Sequence, residues 1–116
     1  YVSLHCPLTS QTRHLIDEAH LSMMKPSAAI INTARGALID EQALIAALQS
    51  KQIAKAALDV QEEEPMREDN PLFTMPNVIV TPHMGWRGLE TRQRLLQLVA
   101  GNIETYLKGA VINRVV

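Results

Sequence analysis

Residues 28–60 decide the fold, and they contain Ala28-Ala-Ile-Ile-Asn-Thr-Ala-Arg-Gly36, then Asp40-Glu-Gln-Ala-Leu-Ile-Ala-Ala-Leu-Gln-Ser-Lys51, then Ala56-Ala-Leu-Asp-Val60. The apolar runs at 28–31 and 56–60 are continuous rather than alternating, which predicts strands that are covered on both faces. The segment between them predicts a helix, since Asp40 is a good N-cap and Leu44 and Leu48 share one face. A helix of this length between two strands predicts a βαβ unit and a parallel sheet.

The rest of the chain extends the same pattern. Two further apolar runs, Val2–Leu4 and Val78–Thr81, predict one strand on each side of the βαβ unit in sequence. The other predicted elements are a helix over Asp17–Met24, a loop over Gln61–Pro76 and a helix over Leu89–Leu107 that stops at Gly109. This alternation of strands and helices predicts an α/β fold.

Length and composition limit the classes of protein to which the chain can belong. The chain has 116 residues, 47% of them hydrophobic, which is enough for one domain with a buried core. Its 11 basic and 12 acidic residues argue against a nucleic-acid or membrane-surface binder. A single cysteine, Cys6, excludes an internal disulfide and fits a reducing cytoplasm, and no apolar run approaches the ~20 residues of a membrane span. Because the chain starts at Tyr1 in a strand-like run without Met, we expect a fragment of a longer protein.

Polar and titratable residues follow each predicted strand. In an open parallel α/β sheet, ligands bind beyond the carboxyl ends of the strands. The residues at or near those ends are His5 and Cys6, Asn32–Arg35, Asp59 with Glu62–Glu64, and His83 with Trp86. We therefore expect the functional site at this edge of the sheet.

Arg35, His83 and Glu64 are the residues at this edge best suited to chemistry. The Arg35 guanidinium at a strand end can bind a substrate carboxylate through two hydrogen bonds, although a structural ion pair is an equal alternative. His83 follows Pro82 and can act as a general acid or base, whereas a surface-loop histidine is the plainer interpretation. A carboxylate bonded to its far ring nitrogen would orient His83, and Glu64 is the candidate unless the acidic run is only a solvated face.

Other kinds of site have little support in the sequence. His14 and His20 are too poorly spaced to share a helix face, and one cysteine cannot complete a zinc site, so we expect no metal. Cys6 is more typical of a small buried or ligand-lining residue than of a reactive thiol. The sequence contains no serine nucleophile elbow, no phosphate loop and no GxGxxG fingerprint.

Seven short stretches, taken together and in order, resemble one family. They are Val2-Ser-Leu-His-Cys-Pro-Leu-Thr9, Met24-Lys-Pro26, Ile31-Asn-Thr-Ala-Arg-Gly36, Ala57-Leu-Asp-Val60, Glu62-Glu-Glu-Pro65, Asn70-Pro-Leu72 and Pro76-Asn-Val-Ile-Val-Thr-Pro-His83. The chain resembles the C-terminal part of the nucleotide-binding domain of the D-isomer-specific 2-hydroxyacid dehydrogenase family. The resemblance implies about the second half of a Rossmann-type parallel sheet with flanking helices, within a larger two-domain enzyme. Residues 1–116 would then be a partial nucleotide-binding domain, with residues 89–116 running toward the missing substrate domain.

The resemblance also implies a reaction, in which hydride moves reversibly between a nicotinamide cofactor and a 2-keto or 2-hydroxy acid. Arg35 would bind the substrate carboxylate and polarise the carbonyl, His83 would protonate the carbonyl oxygen, and Glu64 would assist His83. By analogy, the cofactor pocket would be lined by Cys6, Thr33, Ala34, Arg35, Asp59, His83 and Gly85. The implied cofactor is NAD or NADP, with NAD favoured.

The substrate branch rests on fewer residues. His83-Met-Gly-Trp86, Leu89–Arg94 and Val111–Val116 resemble glycerate dehydrogenases that act on hydroxypyruvate or glyoxylate. Trp86 is then a candidate pocket residue, with packing between domains as its alternative. Another 2-hydroxyacid branch is the alternative substrate class, and Glu64 argues against the formate dehydrogenase branch, which uses an amide there. The same fold also serves corepressors that sense nicotinamide nucleotides, which is the alternative function.

The resemblance also implies what the chain lacks. The glycine-rich phosphate turn, the residue that selects NAD or NADP and most of the substrate domain precede these segments in the family. We expect the full-length protein to be a cytoplasmic homodimer with no nucleic-acid or membrane partner, and the isolated chain to bind dinucleotide weakly and to be inactive. Without a substrate domain, an apolar stripe on the last helix would be exposed and would favour self-association. The stripe consists of Leu95, Leu96, Val99, Ile103, Tyr106 and Leu107.

Overall fold

The computed structural model describes residues 1–115 and divides into two compact units, Tyr1–His83 and Met84–Val116. The elements of the first unit are β1 (Val2–Leu4), α1 (Glu18–Ser22), β2 (Ala29–Asn32), α2 (Glu41–Gln49), β3 (Lys55–Leu58) and β4 (Val78–Val80), with 3-10 turns at Gly36–Leu38 and Pro71–Phe73. The second unit contains one helix, α3 (Leu89–Leu107).

The four strands form one parallel sheet in the order β1-β2-β3-β4. The register aligns Ile30 of β2 with Ala56 of β3, and Ala56 with Val78 of β4. Because each strand lies beside the next one in sequence, the chain crosses over between every pair, and α2 makes the crossover from β2 to β3. The predicted α/β fold on a parallel sheet is confirmed.

The core lies between one face of the sheet and the two helices of the first unit. Leu21 of α1 and Leu44 and Leu48 of α2 are buried in the same cluster as the inward-facing residues of β2 and β3. As predicted, Asp40 caps α2, where its carboxylate accepts hydrogen bonds from the backbone N–H groups of Gln42 and Ala43. These donors are among those that a helix start leaves without partners, so the cap fixes where the crossover helix begins.

The other face of the sheet is less covered than the sequence predicts. Burial alternates along β2 and β3, with Ile30 and Ala56 buried but Ile31 and Ala57 only partly buried. Ile79 of β4, which pairs with Ala57, is 68% exposed. The prediction that both faces are covered is therefore wrong for this chain. The physical reason is that α1 and α2 pack into one core on the same face.

Several predicted boundaries also differ from the structure by one or two residues, and two of these differences involve charged residues. β3 ends at Leu58, so Asp59 is the first residue after the strand rather than part of it. The helix α2 ends at Gln49, and Lys51 adopts a left-handed conformation with φ 58° instead of continuing the helix. The first difference matters for function, because it puts Asp59 at the edge of the sheet.

The second unit is dominated by α3, which has the predicted bounds. Its apolar stripe includes Leu95 at 51%, Val99 at 47% and Ile103 at 56% exposure, so the predicted exposure is confirmed. Gly109 has φ 79° just beyond the helix, in the left-handed region that favours glycine at a helix end. Within residues 1–115, no helix combines the length and the apolar character needed to cross a membrane.

Candidate functional site

The site lies at the carboxyl edge of the sheet, where four chain exits meet. Cys6 follows β1, Thr33–Arg35 follow β2, Asp59–Glu64 follow β3, and His83 follows β4. Because the strands are parallel and adjacent, these segments lie side by side even though 77 positions separate Cys6 from His83 in the numbering. The predicted clustering at one edge is confirmed for the residues of the first unit.

Glu64 and His83 form a hydrogen-bonded pair at this edge. Nδ1 of His83 lies 2.7 Å from Oε2 of Glu64. An ionised carboxylate only accepts hydrogen bonds, so Nδ1 carries the hydrogen of this bond. The other oxygen, Oε1, accepts a 3.1 Å bond from the backbone N–H of Gln61. Both carboxylate oxygens therefore accept a hydrogen bond. Nε2 is then the nitrogen of the His83 ring that can exchange a proton with a substrate.

The surroundings of Glu64 favour its ionised form. Desolvation raises the pKa of Glu64, but the hydrogen bonds from His83 and Gln61 and the charges of His83 and Arg35 outweigh it. The net result is a pKa below the ordinary value of 4.5. Near neutral pH the group is thus a carboxylate, which is the state that orients a histidine and stabilises its charged form.

The backbone of His83 is held in an uncommon conformation. Its φ is 48°, in the left-handed region that L-residues adopt only at a cost of about 1 kcal/mol or more. Its N–H donates to the carbonyl oxygens of Asp59 (2.8 Å) and Thr81 (3.1 Å). In addition, the Thr81 hydroxyl donates to Oδ1 of buried Asp59. Asp59 thus fixes the β4 exit from which the His83 ring projects.

Arg35 shares a groove with the Glu64–His83 pair. The groove has a volume of about 320 Å³, and its lining residues are Leu8, Arg35, Gly36, Ala37, Gln61, Glu62, Glu64 and His83. Arg35 is exposed, and its Nη1 donates to the carbonyl oxygen of Ala34 at 2.7 Å. The structure therefore brings together the three residues that the sequence predicts as catalytic.

The turn that carries Arg35 is fixed by a buried amide. The Asn32 side chain donates to the carbonyl oxygen of Arg35 at 2.9 Å and accepts from the N–H of Ala34 at 3.1 Å. Asn32 is 1% exposed, so these bonds are made away from solvent. The sequence marks Asn32 as a strand-end residue but gives it no role.

Gly36 allows two segments of the site to approach each other closely. A Cβ atom at Gly36 would lie 1.8 Å from the carbonyl oxygen of Gln61 and 2.5 Å from the backbone nitrogen of Glu62. Only glycine fits there without moving the backbone that leads to Glu64. Gln61 itself is buried at 7% exposure and is not singled out by the sequence, where a glutamine before an acidic run is typical of a surface loop.

The residues expected to line a cofactor pocket are only partly brought together. Cys6 and Ala34 are partly buried against the core, Thr33 is exposed and Asp59 is buried. Their expected contacts with a dinucleotide stay predictions. Gly85 and Trp86 belong to the second unit, where the Arg92 guanidinium lies 5.3 Å from the Trp86 ring centre. Their expected roles stay predictions.

Two other histidine–carboxylate pairs occur in the described part of the chain. His14 Nε2 lies 2.8 Å from Glu62 Oε1, and His20 Nδ1 lies 2.7 Å from Asp17 Oδ1. Neither histidine lines the groove that Arg35 shares with His83. Within residues 1–115, no three His, Cys, Asp or Glu side chains are grouped as metal ligands would be.

Comparison with known proteins identifies the family. Residues 1–85 match the family model described as D-isomer specific 2-hydroxyacid dehydrogenase, NAD binding domain. The chain is 42% identical over 112 residues to a hydroxypyruvate reductase of Blautia hydrogenotrophica, an alignment that covers 97% of this chain and 35% of the relative.

Solved structures agree with the family match. A glyoxylate reductase from Paecilomyes thermophila superposes with a TM-score of 0.89 at 42% identity, covering 97% of this chain and 34% of the other. An NAD-complexed D-isomer specific 2-hydroxyacid dehydrogenase from Lactobacillus delbrueckii ssp. bulgaricus gives a TM-score of 0.84 at 35% identity, covering 97% and 38%. The chain thus spans about a third of the length of these relatives. It belongs to the D-isomer specific 2-hydroxyacid dehydrogenase family, and residues 1–85 are NAD-binding-domain sequence of that family.

Proposed function

We propose that this chain is the catalytic part of the NAD-binding domain of an enzyme that interconverts small 2-keto acids and D-2-hydroxy acids. The expected substrates are hydroxypyruvate, with glycerate as its product, or glyoxylate. The observation that carries the proposal is the groove shared by Arg35, Glu64 and His83, together with the 2.7 Å bond between the last two. The names of the similar proteins, hydroxypyruvate reductase and glyoxylate reductase, support the substrate class.

Arg35 is the group proposed to bind the substrate. A guanidinium forms two parallel hydrogen bonds with a carboxylate, which fixes the orientation of the acid as well as its position. The adjacent keto oxygen is then close to the same positive charge. This charge stabilises the negative charge that develops on the oxygen during reduction.

His83 is the proposed proton donor in the direction of reduction. The charged imidazole gives the proton on Nε2 to the keto oxygen while the keto carbon accepts hydride, so that the C=O double bond becomes a C–OH group. Glu64 accepts the hydrogen bond from Nδ1 and stabilises the charged ring before the transfer. In the reverse direction neutral His83 takes the hydroxyl proton as a general base.

The nicotinamide cofactor supplies or accepts the hydride when it is bound. Cys6, Thr33, Ala34, Arg35, Asp59 and His83 are proposed to line its nicotinamide end, and Gly85 is assigned on the family resemblance alone. The proposed cofactor is NAD or NADP, with NAD favoured, and similar solved structures hold NAD or NADPH. The glycine-rich turn that holds the pyrophosphate in this fold is not among these residues.

The full-length protein is proposed to be a cytoplasmic homodimer that requires no nucleic acid or membrane. Residues 1–116 form part of its nucleotide-binding domain, and residues 89–116 lead toward its substrate domain. The chain alone is expected to bind dinucleotide weakly and to have no useful turnover. The alternative of a nucleotide-sensing corepressor is not favoured, since the similar proteins are named as reductases and dehydrogenases.

The test is turnover by the full-length protein. NADH and NADPH oxidation is followed with hydroxypyruvate, glyoxylate and pyruvate in parallel. We expect rapid oxidation with hydroxypyruvate or glyoxylate and slower oxidation with pyruvate. Tight binding of NADH with no turnover of any of the three acids would contradict the proposal and would favour a nucleotide sensor.

A further inference from the structure

Gln61 contacts all three segments that carry the proposed catalytic residues. Its backbone N–H donates to Oε1 of Glu64 at 3.1 Å. Its carbonyl oxygen lies against Gly36, directly after Arg35, where a Cβ atom would approach to 1.8 Å. Its side-chain Nε2 donates to the carbonyl oxygen of Thr81 at 3.4 Å.

The Thr81 carbonyl oxygen is a shared acceptor. It receives the N–H of His83 at 3.1 Å and the amide of Gln61 at 3.4 Å. The same carbonyl therefore links Gln61 to the turn that holds His83 at φ 48°. At 3.4 Å the hydrogen bond from the Gln61 amide to this carbonyl is long and weak. The amide group is buried, however, and without this partner it would still carry the free-energy cost of its desolvation.

We propose that Gln61 is a positioning residue that sets the spacing between Arg35, Glu64 and His83. The inference rests on the proposed function, because it concerns how the same site is held. Gln61 acts through Glu64 and through the Thr81–His83 turn. Its main chain fixes the Glu64 carboxylate and the Gly36 contact, and its side chain ties this loop to the exit of β4.

Two substitutions remove the side-chain tie without adding charge. Gln61→Met keeps the length of the side chain but has no donor for Thr81. Gln61→Asn keeps an amide that is one methylene too short to reach the same carbonyl, and it serves if the Met variant fails to fold. Both leave the charges of Arg35 and His83 unchanged, so a change in the titration of Glu64 reports geometry.

Asn77→Leu is the matched control. The Asn77 amide donates to the carbonyl oxygens of Ala54 (3.1 Å) and Leu48 (3.5 Å), close to the starts of β3 and β4. It is thus another amide that ties neighbouring segments, and it lies partly buried at the opposite edge of the sheet. Its loss imposes a similar structural penalty far from Glu64 and His83.

The experiment follows the Glu64 carboxyl group by ¹³C NMR titration in the full-length protein and measures kcat and KM with hydroxypyruvate. We expect the pKa of Glu64 to rise toward its ordinary value in Gln61→Met and Gln61→Asn but not in Asn77→Leu. We also expect kcat to fall about tenfold in the Gln61 variants with KM within about twofold of the wild type, as when only the acid–base step suffers.

Two results would overturn the inference. One is an unchanged Glu64 titration in both Gln61 variants, and the other is an equal change in Asn77→Leu. The titration needs no turnover, so the two proposals can fail separately. A rise confined to the Gln61 variants in a protein that reduces no 2-keto acid would support the positioning role and contradict the proposed function.

Discussion

Glu64 and His83 are 19 residues apart in sequence, yet Oε2 of one lies 2.7 Å from Nδ1 of the other. The contact exists because β3 and β4 are parallel neighbours whose exits point to the same edge of the sheet. The segment after β3 brings Glu64 to His83, and the backbone N–H of Gln61 donates to the same carboxylate. The pair is thus a product of sheet topology and of one loop.

The pair makes stability depend on pH. The pKa of Glu64 is lower in the folded state than the ordinary value of 4.5, so its contribution is complete above pH 4.5 and is lost as the pH falls through the folded value. Solvent screening at this partly exposed site keeps the contribution below about 1 kcal/mol. Urea unfolding at a series of pH values should show a smaller acid loss of stability in Glu64→Gln than in the wild type. Glu63→Gln, at the exposed neighbouring residue, is the control. An equal reduction of the acid loss of stability in both variants would contradict the role given to the lowered pKa of Glu64.

Gly36→Ala should destabilise the first unit. The added Cβ atom meets the Gln61 backbone at 1.8 Å, and relieving such an overlap by backbone movement costs about 1–3 kcal/mol. Gly101→Ala in α3 is the matched control, since its Cβ would meet nothing within 4 Å and alanine favours the helix by about 1 kcal/mol. Urea unfolding distinguishes the two variants. Wild-type stability in Gly36→Ala would show that the close contact is not required.

Asp40→Ala should lower the free energy of unfolding by about 1 kcal/mol, because two backbone N–H groups at the start of α2 lose their acceptor. Asp40→Asn retains a side-chain oxygen in the same place and should stay within a few tenths of a kcal/mol of the wild type. The comparison is made by chemical denaturation. Equal losses in the two variants would indicate that the carboxylate acts through its charge and not as a cap.

The exposed stripe on α3 should promote self-association of this chain. Sedimentation equilibrium at increasing concentration is expected to show a rising average mass, because contiguous apolar surface is costly in water. Val99→Lys should reduce the association, whereas Gln97→Lys adds the same charge on the same helix without removing apolar surface. A wild-type chain that stays monomeric at high concentration would contradict this prediction.

The order and type of the elements could be predicted from the sequence, because they follow from local patterns. Each of these patterns depends only on residues that are neighbours in sequence, as in the apolar run 28–31, the Asp40 cap and the helical face shared by Leu44 and Leu48. The missing cover on the outer face of β4 could not be predicted in this way. The apolar composition of a strand shows that the strand can be buried, but segments elsewhere in the protein determine whether it is covered.

The residues of the site likewise fall into those that local sequence identifies and those that only the fold reveals. Arg35, Glu64 and His83 could be identified from their residue types, their strand-end positions and the family resemblance. Gly36 and Gln61 could not, because their importance comes from a backbone contact across 25 residues and from burial that only the folded loop creates. Gln61 in particular is a polar residue whose position before an acidic run predicts exposure, and the structure buries it.

His83, held by Glu64, is the proposed proton donor of a 2-keto acid reductase, and a comparison of two histidine variants tests this role. His83→Gln and His14→Gln are compared in the full-length protein with hydroxypyruvate and NADH. Both histidines bond a glutamate, but only His83 lies in the groove with Arg35. We expect kcat to fall about 100-fold or more in His83→Gln and to stay within about twofold of the wild type in His14→Gln. Retention of kcat within about threefold in His83→Gln would contradict the role of His83 as proton donor.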